Sequence, residues 1–148
     1  MRRFPSGVAV VTLAAGGSRV GVTVGSLVSL SLEPPLVGVS IGVQSSPHLL
    51  LRDAGRFAVN VLRGDQERLA RHFAASVPPI AMWDAVPTRE TAHGEPLLEG
   101  ALAWLECRTV AEHAAGDHAM FVGEVLATEL GAPGPGLVYV GGRYVEAA

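Results

Sequence analysis

From Val20 to Leu51 the chain reads VGVTVGSLVSLSLEPPLVGVSIGVQSSPHLLL, a stretch whose one carboxylate is Glu33 and which holds no Lys or Arg. Small and β-branched residues alternate through it, so its backbone is extended and can be approached closely at the same time. Ser, Pro and Gly interrupt every apolar segment before it reaches the roughly 18 to 20 residues of a membrane-spanning helix. The stretch is therefore expected to be mostly extended, with the rest of the chain completing a sheet around it. It is also dense in hydroxyls, at Thr23, Ser26, Ser29, Ser31, Ser40, Ser45 and Ser46. Hydroxyls and bare amides beside apolar side chains suit a flat polar ligand that carries a phosphate.

The flanking sequence supplies partners for such a sheet. Val8 to Ala14 and Val20 to Val24 are β-rich runs around Gly16-Gly17-Ser18, which predicts a hairpin. Pro34-Pro35 cannot donate to a ladder and stops it, and Leu36 to Ile41 follows as a strand apolar on both faces. Ser46 and Pro47 predict a helix start, with Ser46 at the N-cap and Gly55 as the stop. Arg56 to Leu62 is another strand. Asp65 is expected to cap a second helix with Leu69 and Phe73 on one face. Residues 77 to 98, with four prolines, read as a long and mostly irregular excursion. Ala101 to His113 and His118 to Glu129 are long strands around Ala115-Gly116, the first with Glu106, Arg108 and Glu112 on one parity. Leu137 to Val140 is the last strand. Strands joined mostly by turns, with two short helices, predict one mainly β domain over residues 1–148, a barrel with helical insertions.

Composition removes several functions. A net charge of -3 offers no basic field for nucleic acid, and all 11 basic residues are Arg, so there is no Schiff-base or phosphate-loop lysine. Cys107 is alone, which excludes an internal disulfide and fits a reducing cytoplasm. Met1-Arg2-Arg3 before VAVVTLAA imitates a signal peptide, but Pro5-Ser6-Gly7 breaks the pattern and the run is expected to open the core as a strand.

Three motifs mislead. Gly38-Val39-Ser40-Ile41-Gly42 matches the hydrolase nucleophile elbow, yet that chemistry needs Ser40 on a sharp strand-to-helix turn rather than inside a strand. Asp117 adjoins His118 in sequence, which is poor geometry for an Asp orienting that His. The glycines of residues 131 to 136 lead into a strand, so a Rossmann reading fails. The histidines show no metal spacing.

Several segments taken together resemble the short-chain flavin reductase family, the FMN-binding split barrels that feed two-component monooxygenases. They are FPSGVAVVT from Phe4, GVTVGSLVS from Gly21, SLEPPLV from Ser31, GRFAVNVL from Gly55, LEGALAWLEC from Leu98, Gly116-Asp117-His118 with Phe121-Val122-Gly123, and Gly142-Arg143-Tyr144. Each is weak alone; their common order over nearly the whole chain is specific. Family members usually carry a longer segment before the Phe-Pro-Ser-Gly motif, so either this member dispenses with it or the chain is incomplete.

The resemblance implies an antiparallel split β-barrel, as a cytoplasmic homodimer with neither nucleic acid nor membrane as partner. It implies NAD(P)H:flavin oxidoreductase activity, with NADH or NADPH reducing FMN (or FAD) for a separate monooxygenase. Flavin contacts are implied at Thr23, Val24, Gly25, Ser26, Leu27, Ser29, Leu30, Gln44, Ser45, Ser46, Leu50, Leu51 and Phe73. Physical chemistry supports part of this: amides and hydroxyls along 23–27 meet the edge of a flat ring without crowding it, and the helix start after Gln44-Ser45-Ser46 is an anion site. His118 is implied at the nicotinamide, with a catalytic role, and Tyr144 as a second wall there. The alternatives are a flavin carrier or store with no dinucleotide oxidation, and a serine hydrolase using Ser40.

Overall fold

The hairpin at Gly16-Gly17 forms, joining β2 (Ala9–Ala15) to β3 (Ser18–Val24), with Val11 opposite Val22. A computed structural model describes residues 1–147. Its other strands are β1 (Ser6–Gly7), β4 (Val28–Leu32), β5 (Pro35–Gly42), β6 (Arg56–Val61), β7 (Thr88–Glu90), β8 (Pro96–Leu98), β9 (Ala103–Ala115), β10 (His118–Leu130), β11 (Leu137–Val140) and β12 (Arg143–Glu146). Three helices, α1 (Ser46–Ala54), α2 (Glu67–Ala74) and α3 (Pro79–Met82), fill the connections.

The main sheet runs β3-β2-β6-β9-β10-β5-β4, and β1-β11-β12 and β7-β8 form two smaller sheets. All the pairings are antiparallel. The sheet curls until β3 touches β5, and Ser26 ties the two sides together: its hydroxyl accepts from the Ser40 amide at 2.9 Å and donates to the Ser40 carbonyl at 3.3 Å. This is the mainly β, antiparallel split barrel with short helical insertions that the resemblance implies.

The core is aliphatic, as an aromatic content of 5% requires. Val10, Val11, Leu13, Val39, Val59 and Leu62 are fully buried around Phe57 and Phe121. Asn60, also fully buried, donates to the Val10 carbonyl and the Thr12 hydroxyl and accepts from the Leu98 amide. One side chain thereby joins β2, β6 and β8.

Val28 to Leu32 pairs with β5 as the sheet's last strand, and Pro34-Pro35 ends that ladder as the sequence predicts, Pro35 being the first residue of β5, opposite Leu32. A strand's first residue tolerates proline. The helix caps need correction. Ser45, not Ser46, is the N-cap of α1, with extended backbone at φ -87° and ψ 147°. Asp65 does not cap α2; it lies in a short 3-10 turn, Gly64–Gln66, where Arg63 captures its carboxylate. Gln66 is the N-cap of α2.

The 77–98 excursion is more ordered than its prolines suggest, since it contains α3 and the β7–β8 hairpin. That hairpin covers a second small core of Ala58, Leu97, Ala101 and Trp104, and the Trp104 indole N–H donates to the Leu98 carbonyl. Arg143 to Glu146 forms β12 where the sequence showed only a tail motif.

Candidate active site

Three cavities lie along β3, and neighbouring ones share lining residues, so that together they form a groove. The middle one, of about 370 Å³, is lined by Val22 to Ser26, Ser40 to Gly42, Ser45 and His118. On one side it meets a chamber of about 390 Å³ between the start of α1, with Ser45, Ser46 and Pro47, and the 73–79 segment with Phe73. On the other it shares Thr23, Val24 and Gly25 with a chamber of about 470 Å³ that runs to Arg71, Tyr139 and Tyr144. Each falls within the size range of small-molecule sites.

The hydroxyls do not play the part their density suggests. The Thr23 hydroxyl donates to the Ala70 carbonyl at 2.8 Å and so fastens α2 to β3. The Ser45 hydroxyl donates to the Gly42 carbonyl at 2.6 Å, and Ser26 is spent on Ser40 as described. These hydroxyl protons are used by the chain itself, and they hold the groove in shape. Donors for a ligand come instead from the backbone: Gly25, Ser26 and Leu27 lie between the ladders of β3 and β4, and the first turn of α1 has no side-chain cap. Of the first three residues of α1, Ser46 has the amide open to an anion, since Pro47 has no N–H and the His48 N–H donates to the Ser45 carbonyl at 3.1 Å.

At the far end of the middle chamber, His118 opens β10 opposite Gly42. A Cβ on Gly42 would make no more than ordinary contact with His118 Nε2, at 4.0 Å. The Nδ1–H donates to the Asp117 carboxylate at 2.7 Å, and this contact holds the Asp117 carboxyl below the usual carboxylate range. Adjacency in sequence is therefore no obstacle to Asp117 orienting His118, contrary to the expectation above. The turn at Ala115-Gly116 swings the carboxylate back onto the ring. Ser40 lines the same chamber, but it sits within β5 opposite Met120 rather than on an elbow, so the hydrolase geometry is missing.

Phe73 is 2% exposed, packs at 5.2 Å on Trp83 and 4.9 Å on His72, and forms part of the chamber wall beside α1. Gly21 makes room for it, since a Cβ there would lie 2.7 Å from the Phe73 ring.

The groove brings together Thr23, Val24, Gly25, Ser26, Ser45, Ser46, Phe73, His118 and Tyr144, although His118 and Tyr144 occupy different chambers. Leu27 instead faces a small apolar cavity of about 180 Å³ beside Val8 and Leu137. Ser29 and Leu30 are exposed on β4, and Gln44 is exposed in the turn before α1. Leu50 is half-buried against the core and Leu51 is fully buried in it, so their side chains serve packing. Sequence reasoning missed Ser6, Arg71, Ala74, Ala75, Tyr139 and Gly142 as lining residues. Ser6 and Gly142 lie in segments that carry the resemblance, but nothing local marks any of the six as lining residues, because only the docking of α2 and of the β11–β12 hairpin brings them together.

Known proteins share this architecture. Residues 1–148 match the model of the flavin reductase like domain, and the chain belongs to that family. An NADH-dependent FAD reductase of Streptomyces globisporus is 39% identical over 95% of this chain and 79% of its own length. The reductase component of 4-hydroxyphenylacetate 3-monooxygenase from Thermus thermophilus is 40% identical, over 94% of this chain and 87% of its own. The crystal structure of BorF, the flavin reductase component of a bacterial two-component tryptophan halogenase, superposes with a TM-score of 0.93 at 36% identity, covering 99% of this chain and 92% of that one.

The groove fits the flavin that this family handles. Its middle wall alternates apolar side chains, Val22, Val24 and Ile41, with backbone amides, matching a ring apolar on its faces and polar at its edge. Its α1 end offers the Ser46 amide to a phosphate. The chain is accordingly an enzyme of the NAD(P)H:flavin oxidoreductase class. Among the described residues no helix is long and apolar enough to cross a membrane, and no His, Cys, Asp and Glu cluster is arranged to hold a metal.

Proposed function

We propose that this protein reduces FMN, or FAD as the alternative, at the expense of NADH or NADPH, and releases the reduced flavin to a separate flavin-dependent monooxygenase. The observation that carries this reading is a row of cavities along β3 that share lining residues, with the start of α1 at one end and Gly25, Ser26 and His118 lining the middle one. The bound flavin supplies the hydride acceptor, and the protein's task is to position the two reactants and exclude competing reactions.

In this reading the amides of Gly25 and Ser26 receive the polar edge of the ring. The Ser46 hydroxyl and amide receive the phosphate. Phe73 closes the groove beside α1. Asp117 keeps the His118 proton on Nδ1, so Nε2 is presented to the groove as an acceptor for the carboxamide of a nicotinamide. Relatives that serve a 4-hydroxyphenylacetate monooxygenase and a tryptophan halogenase support a reduced-flavin consumer as partner.

A homodimer is part of the proposal. Strand β4 ends the main sheet with an open edge, and it carries Val28, Leu30 and Leu32 at 40%, 48% and 85% exposure. An exposed apolar edge strand calls for a cover, and a second copy of the chain brings an apolar strand of the same kind. Sedimentation of a flavin-bound monomer at micromolar concentration would refute it.

The deciding experiment is anaerobic addition of NADH and of NADPH to flavin-loaded protein. Bleaching of the visible flavin band by at least one is expected. A flavin that neither donor bleaches would leave a carrier or store and overturn the reductase reading.

A further inference from the structure

Glu112 lies where strand parity would not put it. Counted along β9 it shares a face with Glu106 and Arg108, but the ladder to β10 steps from Thr109 opposite Gly123 to Ala111 opposite Val122 and leaves Val110 unpaired. A bulge of this kind re-aims the side chains beyond it. Glu112 therefore stands opposite Phe121, which is fully buried, and residues directly opposite in an antiparallel pair share a face. What meets the carboxylate there is the first turn of α1. His48, 5% exposed, donates from Nε2 to Glu112 Oε1 at 3.0 Å, and its ring packs on Phe121 at 5.6 Å with the planes at 66°. Arg52, one turn later, donates from Nε to Oε2 at 2.9 Å and from Nη2 to Oε1 at 2.6 Å.

We propose that Glu112 is a positioning residue for the flavin phosphate: through His48 it holds the first turn of α1 against β9, keeps the Ser46 hydroxyl and amide in place, and so sets a preference for phosphorylated flavin over riboflavin. A helical side chain leans toward the helix N-terminus, so fixing the His48 ring fixes the turn that begins at Ser46. The His48 amide donates to the Ser45 carbonyl within the same turn, and the Ser45 hydroxyl ties that turn to Gly42 of β5. Glu112 supplies the second tether, to β9. Its bond to His48 carries the effect. The Arg52 side chain is 55% exposed and sits in the last turn of α1, where an ion pair contributes little. The proposal rests on the reading that places the phosphate at Ser46.

The test compares dissociation constants for FMN and riboflavin, by fluorescence quenching. Glu112→Ala should weaken FMN by about tenfold, the loss of a charge-assisted contact, while riboflavin changes by less than about twofold and reports an intact ring site. Glu112→Gln should keep the preference within about twofold, because an amide oxygen in the Oε1 position still accepts from His48 and from Arg52 Nη2. His48→Phe keeps a ring against Phe121 and removes the donor. It should lose the preference as Glu112→Ala does, and it takes that variant's place should Glu112→Ala not fold. In a Ser46→Ala background, Glu112→Ala should weaken FMN by less than a further twofold or about that, since the contact it positions is already gone. The proposal is overturned if Glu112→Ala and His48→Phe keep the wild-type ratio of the two affinities, or if they weaken both flavins equally. Equal affinity of the wild type for FMN and riboflavin would overturn it by another route, by removing the phosphate from α1. Failure of NADH and NADPH to bleach the flavin would instead sink the reductase reading and leave these binding ratios standing.

Discussion

Gly21→Ala tests how tightly the groove wall is built. The added Cβ would sit 2.7 Å from Cδ1 and Cε1 of Phe73, where carbon atoms in contact prefer about 3.5 to 4.0 Å. The ring would have to retreat by about 1 Å to relieve this. It cannot do so freely, because it is 2% exposed and meets Trp83 and His72 at 5.2 and 4.9 Å. Overpacking of this kind costs about 1 to 3 kcal/mol, and in a chain of this size about 2 kcal/mol lowers Tm by roughly 4 to 8 °C. Because Phe73 lines the groove, flavin affinity should fall as well. Trimming the ring should give back what the methyl costs, so Phe73→Leu should be milder in the Gly21→Ala background than in the wild type. Urea unfolding of the two single variants, the double variant and the parent gives the coupling, expected to exceed about 1 kcal/mol. Additivity within about 0.5 kcal/mol would show that the ring yields without strain, and the account of Gly21 would be wrong.

His118→Ala should slow flavin reduction by about 100-fold through misplacement of the nicotinamide while leaving flavin affinity nearly intact; equal loss of both in titration and single-turnover reduction would make His118 a scaffold residue. Ser46→Ala should weaken flavin binding by about tenfold through a lost charge-assisted contact, whereas Ser45→Ala should act on stability, because its proton is committed to Gly42; flavin titration and thermal melts separate the two. The Arg52 guanidinium, against the opposing push of burial and with help from His48, holds the Glu112 carboxyl below its ordinary range. That contribution to stability is complete above the unfolded glutamate value of about 4.3 and is lost as pH falls through the lower folded value, so Glu112→Gln should flatten the acid limb of a Tm–pH profile, and an unchanged limb would refute the assignment. Burial pushes the Cys107 thiol up to about 12, so a disulfide reagent at neutral pH should label it only on unfolding; prompt labelling of the native protein would contradict this.

Much of the fold is legible in the residues because it rests on local rules. Alternating apolar residues and a Gly-Gly-Ser turn mark the β2–β3 hairpin, and β9 and β10 declare themselves by length and period. Where the reading fails, a distant partner decides. Arg143 to Glu146 becomes a strand by pairing with β11. The proline-rich excursion is ordered because its β7–β8 hairpin covers Trp104.

The same division runs through the site. The sequence alone determines that a small-residue, hydroxyl-rich strand leads into a helix start, and that a Gly-Asp-His turn opens a long strand. These are properties of neighbours along the chain, governed by backbone preference and capping. Only the tertiary structure decides what each group does. It turns the Thr23, Ser26 and Ser45 hydroxyls inward as braces, leaves amides to face the groove, and sends Leu51 into the core. It also carries Arg71 from α2 to the face of Tyr144 on β12. A hydroxyl's partner and a cation's neighbour depend on which elements come together when the sheet curls, and no local pattern encodes that approach.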